Sequence, residues 1–321
     1  MNRKQYAEML SQINRVRMEH GNTSACIADY CRRYRYVYIY NDSIFKKIFG
    51  APENEKMTCA FLNAILKLDG PDCIAELDFI DPSIPGGPFV KSITSDLVAH
   101  DSQKDRIVIE VQHKYDDTYK DRLVFYTARH IMQNKFRGDS YFLQKLNFIA
   151  LQMFNTFPES PKYRHTVRLR NQDNEEFYKK ETLTIVEIPK FCKGNYAVDD
   201  SRLARWLRLI NDINNEKDPD SNGNPLVESL KNSAKLCNFS ENYLLTEAQV
   251  MTDRAYELQI ERKEARAEGL KEGREKGLLE GREEGRKEGR MEIAKSLMER
   301  GVDISIIAGA TGFSEAEIRA L

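Results

Sequence analysis

Polar and apolar residues alternate along two neighbouring runs, Ser92–Asp101 and Arg106–Gln112, with the polar cluster Asp101–Asp105 between them. Period-two alternation bounded by turn formers predicts a β-hairpin. With the turn centred on Gln103, Asp96 faces Glu110 across the ladder, and Gln112 stands two residues further along the same face. Directly opposed residues have Cβ atoms about 4.5–5.5 Å apart. Two carboxylates that close repel, so the arrangement is costly unless a cation lies between them. A divalent-metal site at Asp96 and Glu110 is therefore expected.

The surrounding pattern predicts an α/β chain. Ile44, Phe45, Ile48 and Phe49 form one helical patch, broken at Gly50-Ala-Pro52, and Phe61, Leu62, Ile65 and Leu66 form the next. Asp42 sits where the first of these helices would take its N-cap. Ile74–Ile80 alternates as a strand, and Pro82–Pro88 is a loop. Tyr115–Lys135 is a helix candidate, closed by Gly138, that places Tyr119, Arg122, Tyr126 and Arg129 on one face. That face either tracks a nucleic-acid backbone or is solvated, with its tyrosines lying on the sheet. Leu146–Phe154 is apolar enough for a strand buried on both sides. Thr182–Ile188 is a further strand, and Leu203–Ile213 and Leu226–Leu236 are amphipathic helices. Upstream, residues 1–40 are basic and aromatic, with tyrosines at 34, 36, 38 and 40. This arm suits an ordinary docking strand or, through arginines and aromatics, a grip on phosphates and bases.

After about residue 246 the composition shifts to a charged helix former in which glycines recur at 269, 273, 277, 281, 285 and 289. Seven basic and six acidic residues between Lys271 and Arg290 argue against a DNA-binding stripe. Small residues at every fourth position allow close helix–helix approach, so self-association into a homo-oligomer is expected, against a solvated linker helix as the plainer alternative. Residues 291–321 then form a small helical unit with a Ser314–Glu317 capping box. Its outline resembles a helix-turn-helix, but Glu315 and Glu317 in the last helix favour protein docking over DNA reading. The chain thus divides into an arm (1–40), a main domain (41–245), a charged glycine-periodic helix (246–290) and a C-terminal helical unit (291–321).

Composition narrows the function. The formal charge of −1 over 321 residues leaves no global nucleic-acid footprint, so such contacts must come from local patches. The six cysteines and five histidines form no zinc-ligand pattern. No apolar run approaches the roughly 20 residues of a membrane span, and Met1–Gly21 lacks the apolar centre of a signal peptide. A cytoplasmic protein with free thiols and no membrane partner is expected.

The residues Asp96…Glu110-Val-Gln112 resemble the D…(D/E)xK signature of the PD-(D/E)XK nuclease superfamily, with glutamine at the lysine position. More specifically, the chain resembles the Rpn family of recombination-promoting nucleases and PD-(D/E)XK transposases. The matching pieces are Asp42-Ser-Ile-Phe-Lys-Lys-Ile-Phe49, Phe61-Leu-Asn-Ala-Ile65, Lys91…Asp96, Ile109-Glu-Val-Gln112, Arg122…Tyr126, Gly138…Tyr141 and the glycine-periodic tail. The resemblance implies a restriction-endonuclease-like α/β fold, a mixed central sheet flanked by helices, with a helical C-terminal extension. It also implies Mg²⁺-dependent (or Mn²⁺-dependent) DNA endonuclease activity linked to recombination or a mobile element. Asp96 and Glu110 correspond to the metal-binding acids and Gln112 to the lysine. Glutamine can orient water but cannot act as a general base. Lys91 is a candidate for the missing positive charge, and Asp42 for a further acidic contact. The alternative is a non-catalytic DNA-binding or self-associating scaffold that keeps the fold.

Overall fold

The computed structural model describes residues 1–133, 142–194 and 199–320, so Gly138 and Tyr141 lie outside the described residues. The chain divides into two compact units, Met1–Met251 and Thr252–Leu321.

The first unit opens with helices α1 (Arg3–Met18), α2 (Thr23–Arg33), α3 (Asp42–Phe49) and α4 (Glu55–Leu66). Strands β1 (Leu77–Ile80), β2 (Ser83–Ile84), β3 (Ile93–Thr94), β4 (Leu97–Asp101) and β5 (Arg106–Gln112) follow, then helix α5 (Tyr119–Met132). After β6 (Leu146–Gln152), β7 (Arg164–Arg170) and β8 (Glu176–Glu187) come α6 (Ile188–Lys193), α7 (Arg202–Asn214) and α8 (Pro225–Ser233). Helix α9 (Glu241–Glu299) begins in this unit and continues into the second.

Six strands form one mixed sheet in the order β1-β4-β5-β6-β8-β7. Strands β5, β6 and β8 run parallel, while β1–β4, β4–β5 and β8–β7 pair antiparallel. Side-chain parity sorts the sheet into two faces. Leu97, Ala99, Ile107, Ile109, Val111, Ile149 and Leu151 enter the larger core, which also holds the inner faces of α1, α3, α4 and α7. Val98, Val108, Phe148, Ala150 and Ile185 enter a second core with Tyr119 and Leu123 of α5. All seven residues of β6 are buried, as its nearly continuous apolar run predicts. By the same parity Asp96, Glu110 and Gln112 belong to the α5 face.

Residues 1–40 are not a free arm. Tyr6, Met9, Leu10 and Ile13 of α1, Ile27 and Tyr30 of α2, and the whole run Tyr36–Tyr40 are buried in the larger core. Burial of Val37 and Ile39 together with the alternate tyrosines means both sides of this segment are covered, so these tyrosines dock and do not grip nucleic acid. Asp42 is not the N-cap of α3. Asn41 is, its side chain accepting the Ile44 N–H at 3.1 Å, and Asp42 is the first helical residue. At the other end of α3, Gly50 is required by space: a Cβ there would lie 2.6 Å from the Lys46 carbonyl oxygen and 2.9 Å from Leu97 Cδ1.

In the second unit, Ala294 of α9, Ile307 of α10 (Ile304–Thr311) and Ile318 of α11 (Glu315–Arg319) form a small core. The Ser314–Glu317 capping box is present. Gly273, Gly277, Gly281, Gly285 and Gly289 face open space. Among the described residues, no helix is long and apolar enough to cross a membrane, and the six cysteines are free.

Glu187 ends β8 with 0% exposure, and Lys190 Nζ (2.5 Å), His165 Nε2 (3.2 Å) and the N–H groups of Thr156 and Phe157 surround its carboxylate. Burial alone would raise its pKa. The Lys190 bond and the two backbone donors outweigh burial and hold the pKa below the ordinary glutamate value. Removing one member of a buried pair leaves the other charge uncompensated, which costs roughly 3–5 kcal/mol. Glu187→Ala is therefore expected to lower unfolding free energy by about 3 kcal/mol or more in urea titrations. Because the folded pKa is depressed, the wild-type contribution is complete above the ordinary glutamate range. It is lost as pH falls through the folded value, so the gap between wild type and variant should narrow in acid.

Candidate active site

The hairpin register is the predicted one. Leu97 pairs with Ile109, Val98 with Val108, Ala99 with Ile107 and His100 with Arg106. The ladder stops at Leu97, because Ile93 and Thr94 turn away to pair with β2. Asp96 thus stands one residue beyond the ladder, where the next backbone donor of β5 needs a partner. Its side chain supplies one: Asp96 Oδ2 accepts the Val111 N–H at 2.5 Å. That bond fixes the carboxylate at the sheet end on Glu110's face.

Glu110 is 3% exposed, and its Oε1 is buried with no hydrogen-bond partner among the described residues. Burial is the largest cause raising its pKa, followed by the Asp96 charge, with Asp42 adding a smaller push. Hydrogen bonding from Ser95 and Gln112 opposes these effects without cancelling them. The carboxyl is held well above the glutamate range, as expected of an anion crowded by other anions in a dry site.

Gln112 bridges two opposite charges. Its Nε2 donates to Glu110 Oε2 at 3.1 Å, and its Oε1 accepts from Arg122 Nη2 at 2.7 Å. A guanidinium has no acceptor, so the amide oxygen must face Arg122 and the nitrogen must face Glu110. Arg122 comes from the first turn of α5, with Asp116 3.8 Å away and the Tyr119 ring beneath it at 5.5 Å. The buried Tyr119 hydroxyl accepts from Gln152 Nε2 at 2.5 Å, tying α5 to the end of β6. Tyr126, one turn further on, is half-buried. Burial first and then the Glu110 charge raise its phenol pKa, so it too borders the site.

The other candidates divide. Asp42 lies beside the site, where its charge reaches Glu110, and its Oδ1 is 3.3 Å from His113 Nε2. Lys91 is exposed and makes no hydrogen bond or ion pair among the described residues, so the structure gives it no contact with the acids. Arg129 is buried and donates to the Pro85 carbonyl at 2.5 Å, a structural bond rather than part of an open basic face. His113 and the lysines of α3 carried no role in the sequence, although His113 directly follows Gln112. A cleft of about 830 Å³ opens beside Asp96, lined also by Lys46, Lys47, Phe79, Pro82 and Tyr243. Only assembly of α3, β1, β4 and α9 creates it, so no local motif reports it.

Among the described residues, no three His, Cys, Asp or Glu side chains gather closely enough to hold a metal ion. Two carboxylates are nonetheless what Mg²⁺ commonly takes from a protein, the other positions going to water and substrate phosphate. The unpartnered Glu110 Oε1 and the adjoining Asp96 carboxylate fit such an ion.

No curated protein and no solved structure matches the chain significantly. Residues 287–321 match the C-terminal helix-turn-helix domain of the Rpn/YhgA-like nuclease family. Residues 39–260, more than half of the chain, match the PD-(D/E)XK nuclease family transposase model, and the protein belongs to that family.

Proposed function

We propose that the protein is a divalent-metal-dependent DNA endonuclease that acts in recombination or on a mobile element, with Asp96 and Glu110 as metal ligands. The observation that carries this reading is the buried Glu110 oxygen left without a hydrogen bond beside a second carboxylate. Burial and the Asp96 charge both disfavour the Glu110 anion, and a bound divalent cation would relieve both. Bound Mg²⁺ or Mn²⁺ would supply a lowered pKa for water and charge shielding at the phosphate in the transition state.

The chain's own groups have distinct tasks. Asp96, held by the Val111 N–H, and Glu110 would hold the ion. Gln112 uses one N–H and one oxygen lone pair on Glu110 and Arg122, which leaves one of each to orient an attacking water or a phosphate oxygen. It cannot take a proton. Arg122 is a cation hydrogen-bonded to the side chain at the superfamily's lysine position, acting one bond removed through the amide of Gln112. It takes the part first considered for Lys91. Lys46 and Lys47, on the wall of the cleft beside Asp96, suit the backbone of the bound strand. The helix-turn-helix match supports DNA as the partner, and the open glycine stripe of α9 supports self-association.

The direct test is plasmid cleavage with and without Mg²⁺ or Mn²⁺. Asp96→Ala or Glu110→Ala should abolish metal-dependent nicking while the thermal melt stays cooperative. Wild-type-like cleavage by Asp96→Ala would sink the mechanism. Absence of both metal binding and cleavage in the wild type would instead leave a DNA-binding scaffold.

Arg122→Met removes the group that orients Gln112 and should lower the cleavage rate about 10- to 100-fold, as loss of outer-shell partners does in metal sites. An unchanged rate would show that the amide needs no such support. Reversing both lysines, Lys46→Glu with Lys47→Glu, should flatten the dependence of log K on log salt by about 0.9 for each phosphate no longer neutralised. An unchanged salt slope would place the strand elsewhere.

A further inference from the structure

Between Pro82 and Asp96 the chain leaves the main sheet as a small hairpin, with Ser83 paired to Thr94 and Ile84 to Ile93. Its two ends, Pro82 and Asp96, both line the cleft described above, so the hairpin rises from the rim of the candidate site. At its tip Phe89 is 100% exposed, and Val90 beside it is 40% exposed. A lone exposed apolar side chain is ordinary. The structure holding this one out is not.

The tip is a closed turn. Val90 N–H donates to the Gly87 carbonyl at 3.2 Å and Gly87 N–H to the Val90 carbonyl at 2.9 Å, with Pro88 at the second turn position, which its ring favours. Gly86 has the opposite strand pressed against it: a Cβ there would lie 2.5 Å from the Val90 oxygen and 2.7 Å from the Ser92 nitrogen. The base is braced as well. Ile84 and Ile93 are buried, Ser95 N–H donates to the Pro82 carbonyl at 3.1 Å, and the buried Arg129 donates to the Pro85 carbonyl at 2.5 Å. A braced turn therefore holds a phenyl ring in water with Lys91 two residues behind it.

We propose that this hairpin is a DNA wedge, in which Phe89 inserts between stacked bases of a duplex whose backbone lies across the Asp96 cleft. The proposal rests on the endonuclease reading above. Apolar side chains on rigid elements part base steps in this way, and the resulting bend wraps more of the duplex onto the protein. The reach is adequate. Phe89 and Asp96 are seven positions apart, so the tip lies within roughly 25 Å of Asp96. That span covers about seven base steps at 3.4 Å each. Charge favours this occupant: Lys46 and Lys47 line the cleft with Asp96, and Lys91 is exposed two residues past Phe89. Local bending at the scissile step would also help a site with only two protein carboxylates to hold the phosphate.

The test uses the full chain and a duplex oligonucleotide in calcium, a hard cation that takes the same oxygen ligands. Phe89→Ala should keep the wild-type melting temperature, because the ring buries nothing. It should weaken binding at least about fivefold, the lower end of what removing an aromatic–base stack costs, with the salt slope unchanged. Phe89→Trp should bind like wild type. Since Trp206 is the chain's one native tryptophan, quenching of the introduced indole by DNA reports stacking directly. Binding by Phe89→Ala equal to wild type, or an indole that duplex DNA does not quench, overturns the wedge while leaving the nuclease standing. Failure of the wild type to bind duplex at all overturns both.

Discussion

At the open end of the β4–β5 ladder the Asp96 carboxylate takes the Val111 N–H and stands on the same face of the sheet as Glu110. Strand register puts two like charges together at a place where α5 excludes most of the water. The neighbouring groups answer that repulsion only in part. Gln112 hands one N–H to Glu110 and passes the positive influence of Arg122 inward, and burial of Tyr119 and Leu123 fixes α5 so that Arg122 can reach. One Glu110 oxygen is still left without a partner. Backbone pairing thus creates the electrostatic cost, and the unmet remainder is what the proposed cation would answer.

Much of this was legible in the sequence because it depends on period. A hairpin with a short polar turn has few registers, and alternation assigns each residue a face, so the Asp96–Glu110 juxtaposition follows from local pattern. The buried run of β6 and the capping box at Ser314 are local in the same sense. What escaped depends on distant partners. Alternating tyrosines at 34–40 look like one face of a strand, but both sides of Tyr36–Tyr40 are buried in the larger core. Asn41 and Asp42 are both good caps, and only the chain path selects the first. Lys91 is near Asp96 in sequence yet stands exposed on the small hairpin, whereas Arg122, ten residues past Gln112, meets that amide through the return of α5.

The C-terminal unit carries a sharper tension. Its family match is a helix-turn-helix, and its last helix presents Glu315 and Glu317 with a single arginine, Arg319, which is itself 3.2 Å from Glu315. Little net positive charge is left there for phosphates. Lys46 and Lys47 beside Asp96 carry the positive charge that the last helix lacks, and the glycines of α9 from Gly273 to Gly289 face open space.

If Asp96 and Glu110 together hold a divalent ion, Mn²⁺ binding followed by electron paramagnetic resonance detects it without reference to turnover. One saturable site is expected in the wild type, weakened at least about tenfold in Asp96→Asn and in Glu110→Gln, since each removes one charged ligand. Absence of a Mn²⁺ site in the wild type, or wild-type affinity in either variant, would contradict it.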